Sequence, residues 1–172
     1  ESSKKDIVKY VGINESKIKV VYLAAGSEFK AIDSKLKFEE VRKKYNLPEK
    51  FILYVGDVTW NKNLPRLIEA VKKINIPLVM VGDALVKGDV DMNNPWNKDF
   101  NKVLELINGN GRITRLGFVS KEDLILLYNI ATVFAMPSLY EGFGLPILEA
   151  MSCGCPVVTS KEGSIPEISG EA

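Results

Sequence analysis

The sequence contains no histidine. That removes the commonest general base, so any catalysis must rest on carboxylates, cations and backbone dipoles. Cysteine is scarce too, with Cys153 and Cys155 alone. Their C-x-C spacing is neither a zinc nor a thioredoxin signature. They lie in an apolar stretch, 150–158, which reads them as small core residues. Two thiols without a disulfide framework fit a reducing compartment, so a cytoplasmic location is expected. Long apolar runs are missing: none approaches the roughly 18 residues of a transmembrane helix. No basic start followed by an apolar run and a small-residue cleavage site marks a signal peptide. A charge excess is missing as well. Lys plus Arg number 23 against 22 Asp plus Glu, for a net charge of +1. That argues against a sequence-independent nucleic-acid binder, which carries a basic excess. It leaves room for a local phosphate site of one or two cations and backbone amides.

What is present is an ordinary soluble balance, 46% hydrophobic and 26% charged over 172 residues. That length fits one domain with a sizeable core. The chain opens on Glu1 and stops at Ala172 soon after a strand-like segment, so both ends read as cut and a longer parent protein is expected.

Residues 2–12 read as a short helix with Ile7, Val8 and Val11 on one face and Gly12 as its stop. Residues 18–23 read as a strand, and 24–37 as a connecting loop. Phe38, Val41 and Tyr45 stand at helical spacing, closed by Pro48. From Phe51 a repeating pattern begins. Apolar runs of buried-strand length occupy 51–55, 78–81, 113–116, 133–136 and 157–159. Helical spacing lies between them: Leu64, Leu67, Ile68 and Val71; Phe100, Val103, Leu104 and Ile107; Leu124, Leu127 and Tyr128; then residues 145–151. Asn63 is the expected N-cap of the first of these, with Pro65 in its first turn. Ser120 to Asp123 resembles a capping box. The stretch 82–97 has no clear period, and a loop of that length is usually functional or mobile. There are no internal repeats.

Strands alternating with helices imply right-handed crossovers and a mostly parallel sheet. Near-uniformly apolar strands imply helices on both faces. The expected fold is therefore α/β, doubly wound and Rossmann-like. Ligands of such sheets bind beyond the carboxyl ends of the strands, which singles out the loops after Val55, Val81, Leu116 and Met136.

Three of those loops carry candidate chemistry. After Met136, Gly142 and Gly144 let the backbone approach a ligand closely. They feed a helix with Pro146 in its first turn, an anion site made of amides and helix dipole. Glu141 and Glu149 flank it. A carboxylate beside a phosphate site makes electrostatic sense when it faces a neutral group such as a sugar hydroxyl. A strand-to-helix turn with two solvated glutamates fits the same residues. After Val55, Gly56 makes a tight turn and Lys62 can place a point charge on a diphosphate. An ordinary surface lysine fits equally. After Leu116, Gly117 exposes backbone groups able to read a base edge, with Phe118 or Val119 to pack on it. A plain turn is the alternative. Neither G-x-G-x-x-G nor the P-loop pattern occurs.

Together these segments resemble the retaining glycosyltransferases of family 4, with the GT-B fold. The resemblance covers about 18–172. Its most specific part is PSLYEGFGLPILEAMSCGCPVVTS, with Glu141 and Glu149 as the family's paired glutamates. VGDVTWNKNLPRLIEAV, RLGFVSKEDLILLYNIATVFAMPS and SIPEISGEA match the neighbouring segments. The resemblance implies a C-terminal donor-binding domain at 18–172, truncated at its C-terminus, with 1–17 as the hinge or the end of an N-terminal, acceptor-binding domain. It implies Glu141 and Lys62 as catalytic residues, the first on donor-sugar hydroxyls and the second on the leaving diphosphate. It implies donor contacts at Gly56, Gly117, Phe118, Val119, Gly142, Phe143, Gly144, Leu145 and Glu149, the last on the ribose. No metal and no cofactor are expected, lysine and helix dipole taking that work. The donor is a GDP-sugar or UDP-sugar. The N-K-N-L-P-R-L-I-E-A run leans towards GDP-mannose, with a glycan or lipid-linked acceptor in polysaccharide biosynthesis. Partners are the nucleotide-sugar and the N-terminal domain, not nucleic acid. The full-length protein is expected at the inner face of the membrane. The family often carries Arg just after the first-strand glycine or just before the lysine. Here Asp57 and Asn61 stand there, so one diphosphate cation is missing. A non-catalytic binding subunit and a sugar-nucleotide epimerase remain as alternatives.

Overall fold

The computed structural model describes residues 1–86 and 90–170. Among these, a five-stranded sheet runs β1 (Ile52–Val55), β2 (Leu78–Val81), β3 (Ile113–Gly117), β4 (Val133–Met136) and β5 (Val157–Thr159). The spatial order is β3-β2-β1-β4-β5, and every pairing is parallel. Ile52 is in register with Leu78 on one side and with Val133 on the other.

The helices are α1 (Ser2–Asp6), α2 (Lys35–Tyr45), α3 (Leu64–Ile74), α4 (Phe100–Ile107), α5 (Lys121–Ile130), α6 (Leu145–Ser152) and α7 (Ile165–Ser169). Side chains of β1 alternate between two cores because successive residues point to opposite faces. Ile52 and Tyr54 join Leu64, Ile68 and Val103 under α3 and α4. Phe51 and Leu53 join Val41, Leu127, Tyr128 and Ile147 under α2, α5 and α6. The sheet is doubly wound, as the apolar strands require.

The wound order places a switch point between β1 and β4. The chain leaves β1 towards β2 on one side and leaves β4 towards β5 on the other. The two loops that diverge there, 56–63 and 137–144, are two of those singled out from the sequence.

Residues 18–23 do not form a strand. They carry no regular structure, pair with no strand and are mostly exposed, so that expectation is corrected. Ile, Val and Tyr favour strands only where a pleated neighbour receives them, and the sheet takes its neighbours from elsewhere. Asn63 stands at the N-cap of α3 but is left-handed (φ 55°) and makes no side-chain cap. Ser120 does cap α5, its Oγ accepting from the Asp123 amide at 3.1 Å. Helix α2 stops at left-handed Asn46, two residues before Pro48. The first helix continues through a wider turn, Ile7–Val11, to left-handed Gly12. Cys153 and Cys155 are free and buried, and burial pushes both thiols up to about 11. The irregular stretch 82–97 holds two short 3-10 turns, Asp83–Leu85 and Pro95–Asn97; residues 87–89 of that expected loop, and residues 171–172 of the SIPEISGEA match, lie outside the described residues. Among the described residues no helix is long and apolar enough to cross a membrane.

Candidate functional site

Loop 56–63 leaves β1 and makes a single 3-10 turn, Trp60–Lys62, closed by Lys62 N–H to the Thr59 carbonyl at 2.9 Å. Loop 137–144 leaves β4 and ends at Gly144, which begins α6. Both rise from adjacent strands at the same sheet edge, so their side chains meet. Lys62 Nζ donates to Glu141 Oε1 at 2.7 Å. The lysine side chain is 20% exposed and the glutamate 11%. A charged pair this secluded requires each partner to satisfy the other.

The loops are joined beneath that pair by three further bonds. Asn61 Nδ2 donates to the Tyr140 carbonyl at 2.9 Å. The Leu139 amide donates to the Asn61 carbonyl at 2.7 Å. Asn63 Nδ2 donates to the Pro137 carbonyl at 3.1 Å, which is where its side chain goes instead of capping α3. From the other side Ser164, itself buried, donates to the carbonyls of Glu141 (2.8 Å) and Phe143 (3.2 Å). Asn61, Asn63 and Ser164 were not picked out as site residues from the sequence. Their partners lie 79, 74, 23 and 21 residues away, and no local pattern records such bonds.

Gly144 is buried with φ +100°, and a Cβ there would lie 2.9 Å from Ile168 Cδ1. Only glycine turns the chain into α6 at this point. It also leaves α6 without a side-chain cap. Pro146 has no N–H, and Ile147 N–H donates to the Gly144 carbonyl at 3.0 Å, so the helix start offers a ligand the Leu145 amide, with the positive end of the helix dipole behind it. Gly142 is different: a Cβ there would meet nothing within 4 Å. The backbone at Gly142 faces open space. Phe143 packs its ring on Tyr22, 6.4 Å between centroids.

Glu149 lies on α6, half-buried, and accepts from Tyr128 Oη at 3.2 Å. Burial raises its carboxyl above the usual carboxylate range, against the lowering effect of the Tyr128 bond. Gly117 ends β3 at φ +68°. Phe118 is 80% exposed beside it, whereas Val119 is 7% exposed and packs in the core. The apolar surface of that loop is therefore Phe118. At Gly56, φ +149°, a Cβ would lie 2.8 Å from Tyr54 Oη and 3.8 Å from Lys62 Cε, so no side chain fits there. Leu145, partly buried, is the first residue of α6. Asp57 is exposed, with its carbonyl accepting from Tyr54 Oη at 2.7 Å. Asn61 is buried, 8% exposed.

The arrangement offers a cation and a carboxylate at one helix N-terminus, a second carboxylate inside that helix and an exposed aromatic ring on another loop at the carboxyl edge of the sheet. It is suited to a ligand with an anionic centre, neutral hydroxyls and a flat apolar end.

The model of the glycosyl transferases group 1 matches residues 37–172. Over 99% of its length the chain is 36% identical to the O-antigen chain mannosyltransferase B of Escherichia coli, covering 44% of that protein. It is 32% identical, again over 99%, to the serotype-specific mannosyltransferase WbdA of Escherichia coli, covering 21% of it. The chain thus spans less than half the length of these relatives. Among solved structures it resembles the sucrose-phosphate synthase of Thermosynechococcus elongatus, with a TM-score of 0.72 and 26% identity over 95% of this chain and 40% of that one. The fold is the Rossmann-like half of a GT-B glycosyltransferase. With the doubly wound sheet described, the family match over 37–172 settles the classification: the chain belongs to the glycosyl transferases group 1.

Proposed function

We propose that this chain is the donor-binding half of a retaining glycosyltransferase that moves mannose from GDP-mannose to a glycan or lipid-linked acceptor. The observation that carries the reading is the Lys62–Glu141 pair, 2.7 Å apart at the N-terminus of α6. The mannosyltransferase names of the relatives support the sugar.

In this reading the diphosphate lies on the amides of Gly142, Phe143, Gly144 and Leu145 at the start of α6 and draws Lys62 to itself. Glu141, released from Lys62, accepts hydrogen bonds from sugar hydroxyls. Glu149 takes the ribose hydroxyls, and the base rests against Phe118 and the backbone of Gly117 and Val119. The bond between sugar C1 and the diphosphate oxygen breaks. The acceptor oxygen bonds C1 on the same face, and its proton passes to the leaving phosphate oxygen. Charge develops on that oxygen, where Lys62 and the helix dipole stabilise it. Residues 1–17 serve as the hinge to an acceptor-binding domain, and the whole protein works at the inner face of the membrane.

The test is a donor screen on the full-length protein. GDP- and UDP-sugars are incubated with a mannan-type or lipid-linked acceptor, and products are analysed for linkage. Transfer of mannose from GDP-mannose with retained configuration is expected. Epimerised nucleotide-sugar, or no turnover of any donor, counts against the reading. Asp57 at the position of a family cation favours a second reading, a subunit that binds donor without transferring it. Binding without turnover would mark that case.

A further inference from the structure

Lys62 and Glu141 sit on loops 79 residues apart in sequence, and both side chains have several free torsions. Something must hold the two backbones in fixed relation if one is to serve a diphosphate and the other the sugar attached to it. Asn61 immediately precedes Lys62, and Tyr140 immediately precedes Glu141. The Asn61 amide group spans that gap. Its Nδ2 donates to the Tyr140 carbonyl at 2.9 Å, and its Oδ1 accepts from Thr59 Oγ1 at 2.7 Å. The Tyr140 carbonyl only accepts, so it fixes which end of the amide faces it, and the Thr59 hydroxyl holds the other end. The Asn61 carbonyl accepts from the Leu139 amide at 2.7 Å. Asn61 is 8% exposed, so water does not replace these bonds cheaply.

We propose that Asn61 is a positioning residue of the donor site, acting through Glu141. It sets the distance between the loop that grips the diphosphate and the carboxylate that meets the sugar. The inference rests on the donor reading above. It also gives position 61 a purpose other than a lost cation: an arginine there would exchange the clamp for a charge.

The experiment measures binding to the full-length protein of GDP with GDP-mannose, and in parallel of UDP with UDP-glucose. The ratio of nucleoside diphosphate Kd to nucleotide-sugar Kd isolates the part of affinity due to the sugar. Glu141→Gln should cut that ratio about tenfold, the worth of a hydrogen bond to a charged group. Asn61→Asp keeps size and the Thr59 acceptor but puts an oxygen against the Tyr140 carbonyl. It should cut the ratio about as much in the wild-type background and less than twofold in the Glu141→Gln background, because coupled residues are non-additive. A merely structural role would raise both Kd values together and leave the ratio alone. Should Asn61→Asp not fold, Thr59→Val removes the partner of Asn61 Oδ1, loosens the clamp and should show the same coupling with a smaller loss. An unchanged ratio in the position-59 or position-61 variant, or an equal cut in both backgrounds, overturns the positioning role alone. An unchanged ratio in Glu141→Gln overturns the donor reading and the positioning role with it.

Discussion

Lys62 Nζ and Glu141 Oε1 are 2.7 Å apart although 79 residues separate them in the chain. The relationship follows from strand order. β1 and β4 are neighbours in the sheet, and their outgoing loops diverge at its switch point. Two residues chosen for separate chemical reasons are thereby partners in one ion pair, and a ligand that took either would have to part them. In the proposed function, donor and ion pair compete for the same two side chains.

The first expectation concerns Asp57, which is exposed at the mouth of the β1 loop. Asp57→Arg replaces an anion by a cation without disturbing the clamp. GDP affinity should rise, by about tenfold at low salt and less as salt screens it. Asn61→Arg should lower affinity, because it breaks the bond to Tyr140. Equal gains from both substitutions would refute this distinction. Titration at two salt concentrations decides it.

Glu149 sets function against stability. Burial raises its carboxyl above the usual range, so the folded state holds its proton more tightly than the unfolded chain. The sign follows: the ionisation penalty is absent below the unfolded value of about 4.5 and present in full above the raised folded value. Stability therefore falls as pH rises through that window. Glu149→Gln should flatten this dependence and raise the neutral-pH melting temperature by a few degrees, while weakening donor binding. Melting curves from pH 4 to 8 would show it, and a less stable variant at neutral pH would contradict it.

Two glycines in one loop should behave oppositely. Gly144→Ala meets Ile168 Cδ1 at 2.9 Å and is strained at φ +100°, at a cost of about 1–3 kcal/mol. Gly142→Ala meets nothing and should fold with near-normal stability, yet bind donor less well because its methyl group enters the ligand's space. Denaturant midpoints beside binding constants separate the two cases. A stability loss at 142 equal to that at 144 would contradict the difference.

The strands were readable because a sheet covered on both faces demands uninterrupted apolar runs. Leu53 and Tyr54, each with no exposed surface, mark β1. Residues 18–23 carry the same residue types and are mostly exposed. Composition records the liking for a pleated surface, not the presence of one. Glu141, Gly142 and Gly144 stood out because a carboxylate, two glycines and a helix start are local. Asn63 misled for the same reason. Asn before an apolar helix is the usual cap, and its bond to Pro137 lies beyond any local window. Asn61 read as a missing arginine, since its partner Tyr140 becomes visible only once β4 lies beside β1.

Cys153 and Cys155 give an independent check on packing. With both thiols pushed up to about 11, about one in a thousand is thiolate at pH 8, and thiolate is the reactive form. A thiol-specific reagent should label neither in the native protein within minutes and both after denaturation. Rapid native labelling of either would mean that the core beneath α6 is looser than described.

The most direct measurement is calorimetric titration of the full-length protein and its Lys62→Ala variant with GDP and GDP-mannose. Lys62 is expected to grip the diphosphate, so the variant should bind both ligands at least tenfold more weakly, a loss of about 1.4 kcal/mol or more. If neither GDP nor UDP binds at millimolar concentration, or if GDP binds the variant as tightly as the parent, the Lys62–Glu141 pair is not a nucleotide-sugar site.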